Sequence, residues 1–285
     1  MTPIRATFCG VGAILLWSSL ALLTTFAIAL PPFQMAAMSF GVGGCLGLII
    51  TVWRGKLSAL RQPLSVWTVG VGGLFGYHAL YFAALQLAPP AEANLINDIW
   101  PLCIVLFAAL LLPDENIKPH HIIGAILGFS GIVCLVFGKG LNSFTYQAWV
   151  GFGLAAAAGI VWALYSVLSR KFKSVPTDTV TGFCLVTAFL ATLCHFMFET
   201  SIWPSNKTVW FAVIMAGLGP VGAAFFLWDI GMKQGNITFL SVTSYAIPVL
   251  STWLLIVAGQ ASASLYLLAA CAFIVSGAFV ASRTS

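Results

Sequence analysis

The sequence predicts an all-α membrane protein with ten transmembrane helices, arranged as two inverted five-helix repeats around a central cavity. Three observations predict it: the composition, ten apolar stretches separated by short polar loops, and residues that recur between the two halves. Of 285 residues, 60% are hydrophobic and 7% charged, and the mean hydropathy is +1.02. Soluble domains carry about 25% charged residues. This composition excludes a water-soluble protein and leaves no stretch for a soluble catalytic domain.

The apolar stretches are bounded by charged residues, prolines and asparagines. About 20 apolar residues in a helix cross a hydrocarbon core of about 30 Å. The predicted spans are 6–30, 32–53, 66–86, 91–112, 120–138, 147–169, 179–199, 207–230, 237–258 and 263–282. The connecting loops are short, so the chain holds ten spans.

The basic residues predict the orientation of these spans, because cytoplasmic loops carry an excess of Lys and Arg. With a cytoplasmic N-terminus, only Lys139 and Lys207 fall outside. The inside set is Arg5, Arg54, Lys56, Arg61, Lys118, Arg170, Lys171, Lys173, Lys233 and Arg283. A missed span would scramble this bias, so we expect both termini in the cytoplasm. The net charge of +5 is scattered over loops, which predicts no nucleic-acid partner.

Residues recur between segments 1–140 and 141–285, which we interpret as two five-helix repeats. Trp17 matches Trp162 at an offset of 145, and Ser130-Gly131 matches Ser276-Gly277 at 146. At an offset of 147, Asn94, Asn97, Asp98 and Pro101 match Ser241, Ser244, Tyr245 and Pro248. Five spans per repeat is an odd number, so the second repeat must be inverted, as in many secondary transporters. The alternative is chance matching between apolar helices.

The fourth and ninth spans each carry one polar stripe. Their matched residues follow the i, i+3, i+4, i+7 spacing of one helical face. Polar side chains in a bilayer core face a neighbouring helix or an aqueous cavity. Pro101 and Pro248 end the two stripes, and each removes a backbone donor and allows a kink. We therefore predict a mid-membrane site with these two prolines as hinges.

Aromatic residues lie deep in several spans, although Tyr and Trp usually gather at the membrane interfaces. Tyr hydroxyls, indole N–H groups, Asn amides and Ser hydroxyls together can bind an amphipathic ligand without a fixed charge. The candidate substrate-binding residues are Trp17, Tyr77, His78, Tyr81, Asn94, Asn97, Trp100, Trp162, Ser241, Ser244 and Tyr245. The alternative for each residue is that it only ties helices together.

Asp98 is the most informative acidic residue, because it begins about 10 Å along its helix at 1.5 Å per residue. A carboxylate at that depth costs several kcal/mol unless it is paired, hydrated or protonated. The residue is either a proton or ammonium site, or a helix carboxylate bonded to Asn94 or to backbone. Both readings stay open from the sequence.

Two other classes of protein deserve comparison with a transporter. Gly128-Phe129-Ser130-Gly131 has the G-x-S-G form of intramembrane serine proteases, which need a histidine base beside the serine. The neighbouring Gly124 instead makes a small-residue packing face with Gly128, and we expect the same of the pairs at 43/47 and 72/76.

A channel would need a carbonyl filter or an acidic ring, and neither is recognisable. The seven cysteines lack metal or disulfide spacing, and no cofactor motif occurs.

Ten spans, the five-plus-five duplication, the Trp-Ser pair of the first span and the two mid-span prolines resemble the drug/metabolite transporter superfamily in its EamA branch. Segments 77–81 and 94–101 are similar to those of the aromatic amino acid exporters in that branch. The resemblance implies export of aromatic and other neutral amino acids across the bacterial inner membrane by alternating access. We expect no cofactor, with the lipid bilayer as the surroundings; the oligomeric state stays open from the sequence, a monomer being one alternative. A broader drug or metabolite exporter is the alternative, and proton coupling or facilitated diffusion stays open.

Overall fold

Helices make up the chain in a computed structural model, which describes residues 2–111, 118–138, 144–169, 172, 174–235, 240, 243, 244 and 246–281. Among these residues there is no β-strand. The helices are α1 Pro3–Ser18, α2 Leu20–Phe26, α3 Pro32–Trp53, α4 Leu64–Leu87, α5 Pro90–Asn97, α6 Trp100–Leu111, α7 Pro119–Gly138, α8 Tyr146–Ser169, α9 Thr179–Phe198, α10 Lys207–Leu218, α11 Ala224–Gln234, α12 Ala246–Val257 and α13 Leu265–Ala281.

In the described part of the chain, six helical segments are long and apolar enough to cross a membrane. They are Pro3–Phe26, Pro32–Trp53, Leu64–Leu87, Tyr146–Ser169, Thr179–Phe198 and Lys207–Gln234. Their ends agree within a few residues with six of the predicted spans. Helices α5 and α6 cover the predicted fourth span, and α7 and α13 cover the fifth and tenth. The predicted ninth span, 237–258, is described as a continuous helix only from Ala246.

Three of the predicted spans are interrupted within the described part of the chain. The first bends at Ser19, between α1 and α2, and the fourth breaks at Asp98 and Ile99, between α5 and α6. Pro101 is the second residue of α6, where a missing N–H costs little. The predicted kink at Pro101 is therefore a break just before the proline. Pro248 lies within α12, and Thr243 and Ser244 before it are also helical.

The third interruption, in the segment of α10 and α11, was not predicted. Residues Gly219–Ala223 form a π-helical turn with Pro220 at its second position. Such turns leave backbone carbonyls without their usual helical partner. The indole N–H of Trp17 donates a hydrogen bond of 3.0 Å to the Pro220 carbonyl oxygen. The turn therefore links the eighth predicted span to the first.

Small residues set the closest helix contacts. A Cβ on Gly277 of α13 would lie 2.5 Å from the Gly124 carbonyl oxygen and 2.6 Å from the Gly128 nitrogen of α7. The expected packing role of Gly124 and Gly128 is thus confirmed. Gly43 similarly faces the Gly217 carbonyl at 2.7 Å. The expectation for Gly72 was wrong, because a Cβ there would meet nothing within 4 Å.

Charged residues hold the two ends of the bundle. At one end Asp178 pairs with Arg54 at 3.2 Å and with Lys56 at 3.5 Å, and Asp229 pairs with Lys233 at 2.8 Å. We call this end, with Arg54, Lys56, Arg61 and Lys233, the basic end. Of the other residues used for the orientation, Arg170, Lys171, Lys173, Arg283 and Lys139 lie outside the described residues, whereas Arg5, Lys118 and Lys207 are described.

The opposite end is closed by one carboxylate. Glu199, which follows α9, accepts hydrogen bonds from the backbone N–H groups of Phe33 and Gln34 at 2.9 and 3.0 Å, at the start of α3. The ring of His195 bonds Glu199 at 2.8 Å and Ser201 at 2.7 Å. Because a carboxylate stabilises the positive N-terminal pole of a helix, this cluster fastens α3 to α9. His195 therefore has a structural role in this cluster.

The glycine contacts predict a large difference between two alanine substitutions. Gly277→Ala places a methyl group against backbone atoms of α7, and overpacking of this kind costs about 1–3 kcal/mol. We expect a clear fall in the melting temperature of the purified protein. Gly72→Ala is the control, because its methyl group enters open space and should leave the melting temperature unchanged or slightly raised. Equal effects of the two substitutions would contradict the packing described for α7 and α13.

Candidate functional site: a closed cavity with a polar and an aromatic side

A cavity lies near the middle of the bundle, and six of the predicted spans contribute to it. Nine of its residues are candidates from the sequence: Trp17, Tyr77, His78, Tyr81, Asn94, Asn97, Asp98, Trp100 and Trp162. Leu20, Phe225 and Ile247 complete the lining. The elements involved are α1, α2, α4, α5, α6, α8, α11 and α12, together with the break between α5 and α6.

Asn94 is the centre of the polar side. Its Oδ1 accepts a hydrogen bond of 2.7 Å from the Tyr81 hydroxyl, and its Nδ2 donates to Asp98 at 2.9 Å and to Ser251 at 2.8 Å. The residue is 4% exposed. Both amide hydrogens and the amide oxygen therefore have partners, as a buried amide in a membrane requires. Through Ser251 this network joins α5 to α12.

Asp98 terminates α5 and is 3% exposed. Besides Asn94, the side chains of Ser251 and Trp100 also reach its carboxylate. The bond to Asn94 is the one that the structural reading of Asp98 predicted. The carboxylate also lines the cavity, so the bond does not withdraw it from a ligand. Asp98 is therefore bonded to Asn94, as the structural reading expects, and it also lines the cavity, as a proton or ammonium site requires.

Two hydrogen-bond acceptors in the cavity lack partners among the described residues. His78 Nδ1 lies 2.9 Å from the Leu74 carbonyl oxygen, and since a carbonyl only accepts, Nδ1 carries the proton. This leaves Nε2 of a neutral ring as a free acceptor. Asn97 donates from Nδ2 to the Tyr77 hydroxyl at 3.2 Å, while its Oδ1 has no partner. A ligand with N–H or O–H donors would satisfy both atoms.

The carbonyl oxygen of Asn97 explains why residue 159 of α8 is a glycine. Pro101 has no N–H to donate to the Asn97 carbonyl oxygen four residues earlier. A Cβ on Gly159 of α8 would lie only 2.8 Å from that oxygen. Gly159 therefore lets α8 approach the break in the fourth span, and so brings Trp162, one turn further along α8, to the cavity.

Aromatic rings form the side of the cavity towards the basic end. Trp162 packs edge-on against Trp17 with ring centroids 5.3 Å apart, and lies 5.7 Å from Phe225. Trp17 also contacts Trp228 at 5.1 Å. Edge-to-face and offset pairs at these distances are favourable aromatic arrangements. On the polar side, Tyr77 and Tyr81 stack at 5.5 Å. The cavity is thus flat and apolar on one side and rich in hydrogen-bonding groups on the other.

The space inside the cavity amounts to about 30 Å³. Sites that hold small organic molecules occupy about 300–1,000 Å³. An organic ligand does not fit without movement of the walls. The structure therefore represents a closed form of the site.

Not every sequence candidate reaches the cavity. Ser241 and Tyr245 lie outside the described residues. Ser244 is 1% exposed but does not line the cavity, and neither do Pro101 and Pro248. The polar residue that the ninth predicted span brings to the site is Ser251, through its bond to Asn94.

Sequence reasoning missed Phe225 and Ser251. The offset of 147 between the fourth and ninth spans also relates Phe225 to His78 and Trp228 to Tyr81, so the internal repeat carried a signal for Phe225. For Ser251 there was none, because the matching position is Ile104. The same offset relates the missed Ile247 to Trp100, whereas Leu20 is an ordinary apolar residue, which a pattern cannot distinguish from the rest of an apolar helix.

The protease alternative finds no support at Ser130. Its hydroxyl donates to the Ile126 carbonyl oxygen of its own helix at 2.8 Å, and its described contacts include no histidine. Gly131 beside it packs against the Ala270 carbonyl oxygen of α13. Among the described residues no group of His, Cys, Asp and Glu has the arrangement of a metal site.

Apolar helices around an enclosed amphipathic site, with interruptions beside that site, define a multi-pass membrane transporter. The chain belongs to the EamA-like transporter family, which matches it twice, over residues 4–137 and 149–283. It is therefore a transporter of a small-molecule substrate and not an enzyme, and its place is the bacterial inner membrane.

Named relatives support this assignment. The chain is 52% identical to the aromatic amino acid exporter YddG of Ancylobacter novellus, over 99% of this chain and 98% of the relative. It is 29% identical to the aromatic amino acid exporter YddG of Salmonella typhimurium, over 88% of each. A solved crystal structure with 52% identity superposes with a TM-score of 0.79 and covers 97% of both chains.

The Asn94 network predicts a stability effect of a single hydroxyl group. Tyr81→Phe leaves Asn94 Oδ1 buried without a donor, which costs about 1–3 kcal/mol. We expect a lower melting temperature for the purified variant. Tyr165→Phe is the matched control, because the Tyr165 hydroxyl makes no hydrogen bond with any described residue. A melting temperature for Tyr81→Phe as high as that of the control would show that Asn94 does not depend on this bond.

Proposed function

We propose that this transporter exports aromatic and other neutral amino acids by alternating access. The observation that carries the proposal is the pairing of an aromatic wall, formed by Trp17, Trp162 and Phe225, with two unpartnered acceptors, His78 Nε2 and Asn97 Oδ1. The names of the two relatives agree with it.

The polar side suits the head group of an amino acid. Its ammonium carries three donors, which match the acceptors of His78 and Asn97 and the carboxylate of Asp98. The hydroxyl of Tyr77, which accepts its bond from Asn97, is a donor available to the substrate carboxylate once the cavity opens. An aromatic or large apolar side chain then lies against Trp162 and Phe225, where ring contacts favour flat groups.

For the topology we propose ten spans in two inverted five-helix repeats, 1–140 and 141–285, with both termini in the cytoplasm. Support comes from two matching pairs of helices. Helix α4 packs along α8, so the third predicted span contacts the sixth. Helix α11 packs along α1, so the eighth predicted span contacts the first. An inverted repeat relates these two pairs to each other. Positive charge at the basic end supports a cytoplasmic location for that end.

The two sides of the cavity suggest two gates. Opening towards the end opposite the basic end must break the bond between Asn94 and Ser251, which connects the two proposed repeats. Opening towards the basic end must separate Trp17, Trp162 and Phe225. The breaks at Ser19, at Asp98 and Ile99, and at the π-helical turn are the flexible points. The central cavity lies inside a single helix bundle, and we propose that a monomer is the working unit.

Substrate competition in proteoliposomes tests the proposed function. Uptake of labelled phenylalanine into vesicles containing the purified protein should saturate. Excess unlabelled phenylalanine, tryptophan, threonine or methionine should reduce it, because each carries the same head group.

Three results of this experiment would contradict the proposed export of amino acids. If none of the four amino acids reduces the uptake, the amino acid assignment fails. Inhibition by cationic dyes or sugars with no effect of amino acids would favour a broader drug or metabolite exporter. A current through the vesicle membrane that does not saturate would indicate a channel.

Trp162 provides a test of the aromatic wall. Trp162→Ala removes ring contacts with Trp17 and Phe225, and each aromatic pair contributes about 0.5–1.5 kcal/mol. The KM for tryptophan should rise about tenfold, whereas that for threonine should change much less. Trp162→Phe keeps a flat ring and should restore most of the tryptophan affinity. Equal changes for both substrates, at unchanged membrane abundance, would remove the aromatic wall from the site.

A further inference from the structure

A second cavity lies on the side of the bundle, away from the central site. It runs between α3 and α11 and is closed at the basic end by the segment 176–178. Its volume of about 550 Å³ is in the range of about 300–1,000 Å³ that small-molecule sites occupy. None of its lining residues lines the central cavity. We call it the lateral groove.

The length of the lateral groove corresponds to one leaflet of a bilayer. On α3 its lining extends from Gly43 to Arg54, which is about 16 Å at 1.5 Å per residue. The hydrocarbon core is about 30 Å thick, so one leaflet is about 15 Å. The wall along this length is apolar and includes Leu46 and Ile50, whose side chains are about 40% exposed.

Cations are concentrated where the lateral groove meets the membrane surface. Arg54 and Lys56 both line it there, and both pair with the single carboxylate of Asp178. Their side chains remain 48% and 49% exposed, whereas that of Asp178 is 10% exposed. The nearby charges of Asp229 and Lys233 neutralise each other. One positive charge is therefore left over, and the two accessible side chains are the cationic ones.

We propose that the lateral groove binds an anionic glycerophospholipid of the leaflet at the basic end. One acyl chain lies along Leu46 and Ile50, and the phosphodiester is held by Arg54 and Lys56. A phosphodiester carries one negative charge, which equals the excess at this site. Basic pockets beside transmembrane helices recognise anionic head groups in this way, and the apolar wall distinguishes a lipid from a free phosphate.

The position of the lateral groove connects the lipid with the moving parts. Gly222 and Ala223 of the π-helical turn line its inner end, and the Pro220 carbonyl of that turn accepts the bond from Trp17. An acyl chain seated there packs against the outer face of the turn. Binding of the lipid is thus expected to stabilise the bend in the eighth predicted span.

Lipid retention by the purified full-length protein tests this proposal. Phosphatidylglycerol or phosphatidylcholine with identical chains is added to protein in detergent, and bound lipid is counted by native mass spectrometry. One surface cation contributes about fivefold in affinity for an anionic lipid, so we expect about a fivefold preference for phosphatidylglycerol. The double variant Arg54→Gln, Lys56→Gln should abolish the preference. Arg61→Gln, an exposed residue outside the groove, should retain it.

Two further variants separate binding from folding. Asp178→Asn breaks the same ion pairs as the double variant but leaves both cations free, so the preference for phosphatidylglycerol should increase. Leu46→Trp fills the groove and should reduce binding of both lipids, whereas the control Ile49→Trp, on an exposed neighbouring position, should not.

Several results would overturn the proposal. Equal retention of the two lipids by the unmodified protein would do so, as would a weaker preference in Asp178→Asn. Loss of the preference in Arg61→Gln would mean general surface attraction. Competition by glycerol phosphate at the lipid's own concentration would mean a phosphate site without an acyl chain.

Discussion

The need to satisfy polar groups in the absence of water governs this structure. Every polar atom within the bilayer core requires a protein partner, a ligand or access to water. Asn94 uses its whole amide to bond Tyr81, Asp98 and Ser251. The Pro220 carbonyl, released by the π-helical turn, receives the indole of Trp17. In the central cavity, one acceptor atom of His78 and one of Asn97 have no partner among the described residues. This cavity is the candidate ligand site.

The division of the cavity into a polar and an aromatic side has consequences for the proposed transport cycle. A typical buried hydrogen bond contributes about 0.5–1.5 kcal/mol net, and an aromatic pair contributes about 0.5–1.5 kcal/mol beyond its buried area. Opening either side breaks a few such contacts. A substrate that contacts both sides can therefore shift the balance between the two proposed openings.

The eighth predicted span connects three features of the molecule. Its π-helical turn bonds Trp17 in the central cavity, packs closely against α3 through Gly222 and Gly43, and lines the lateral groove. A change in the bend of this helix would alter all three. The surrounding lipid thus has a direct physical route, through one turn of helix, to the ring that closes the central site.

The sequence by itself determined the class of protein, the helices and most of the cavity lining. Spans follow from the apolar length that a bilayer requires, and inward-facing positions follow from polar residues that lipid cannot satisfy. Tyr77, Asn94 and Trp162 were found in this way. Only the tertiary structure decided what these residues contact. Ser251 and the π-helical turn at Pro220 depend on which helices meet, and the lateral groove depends on how far α3 and α11 lie apart. Helical periodicity records which face of a helix is polar, but it contains no distance between one helix and another.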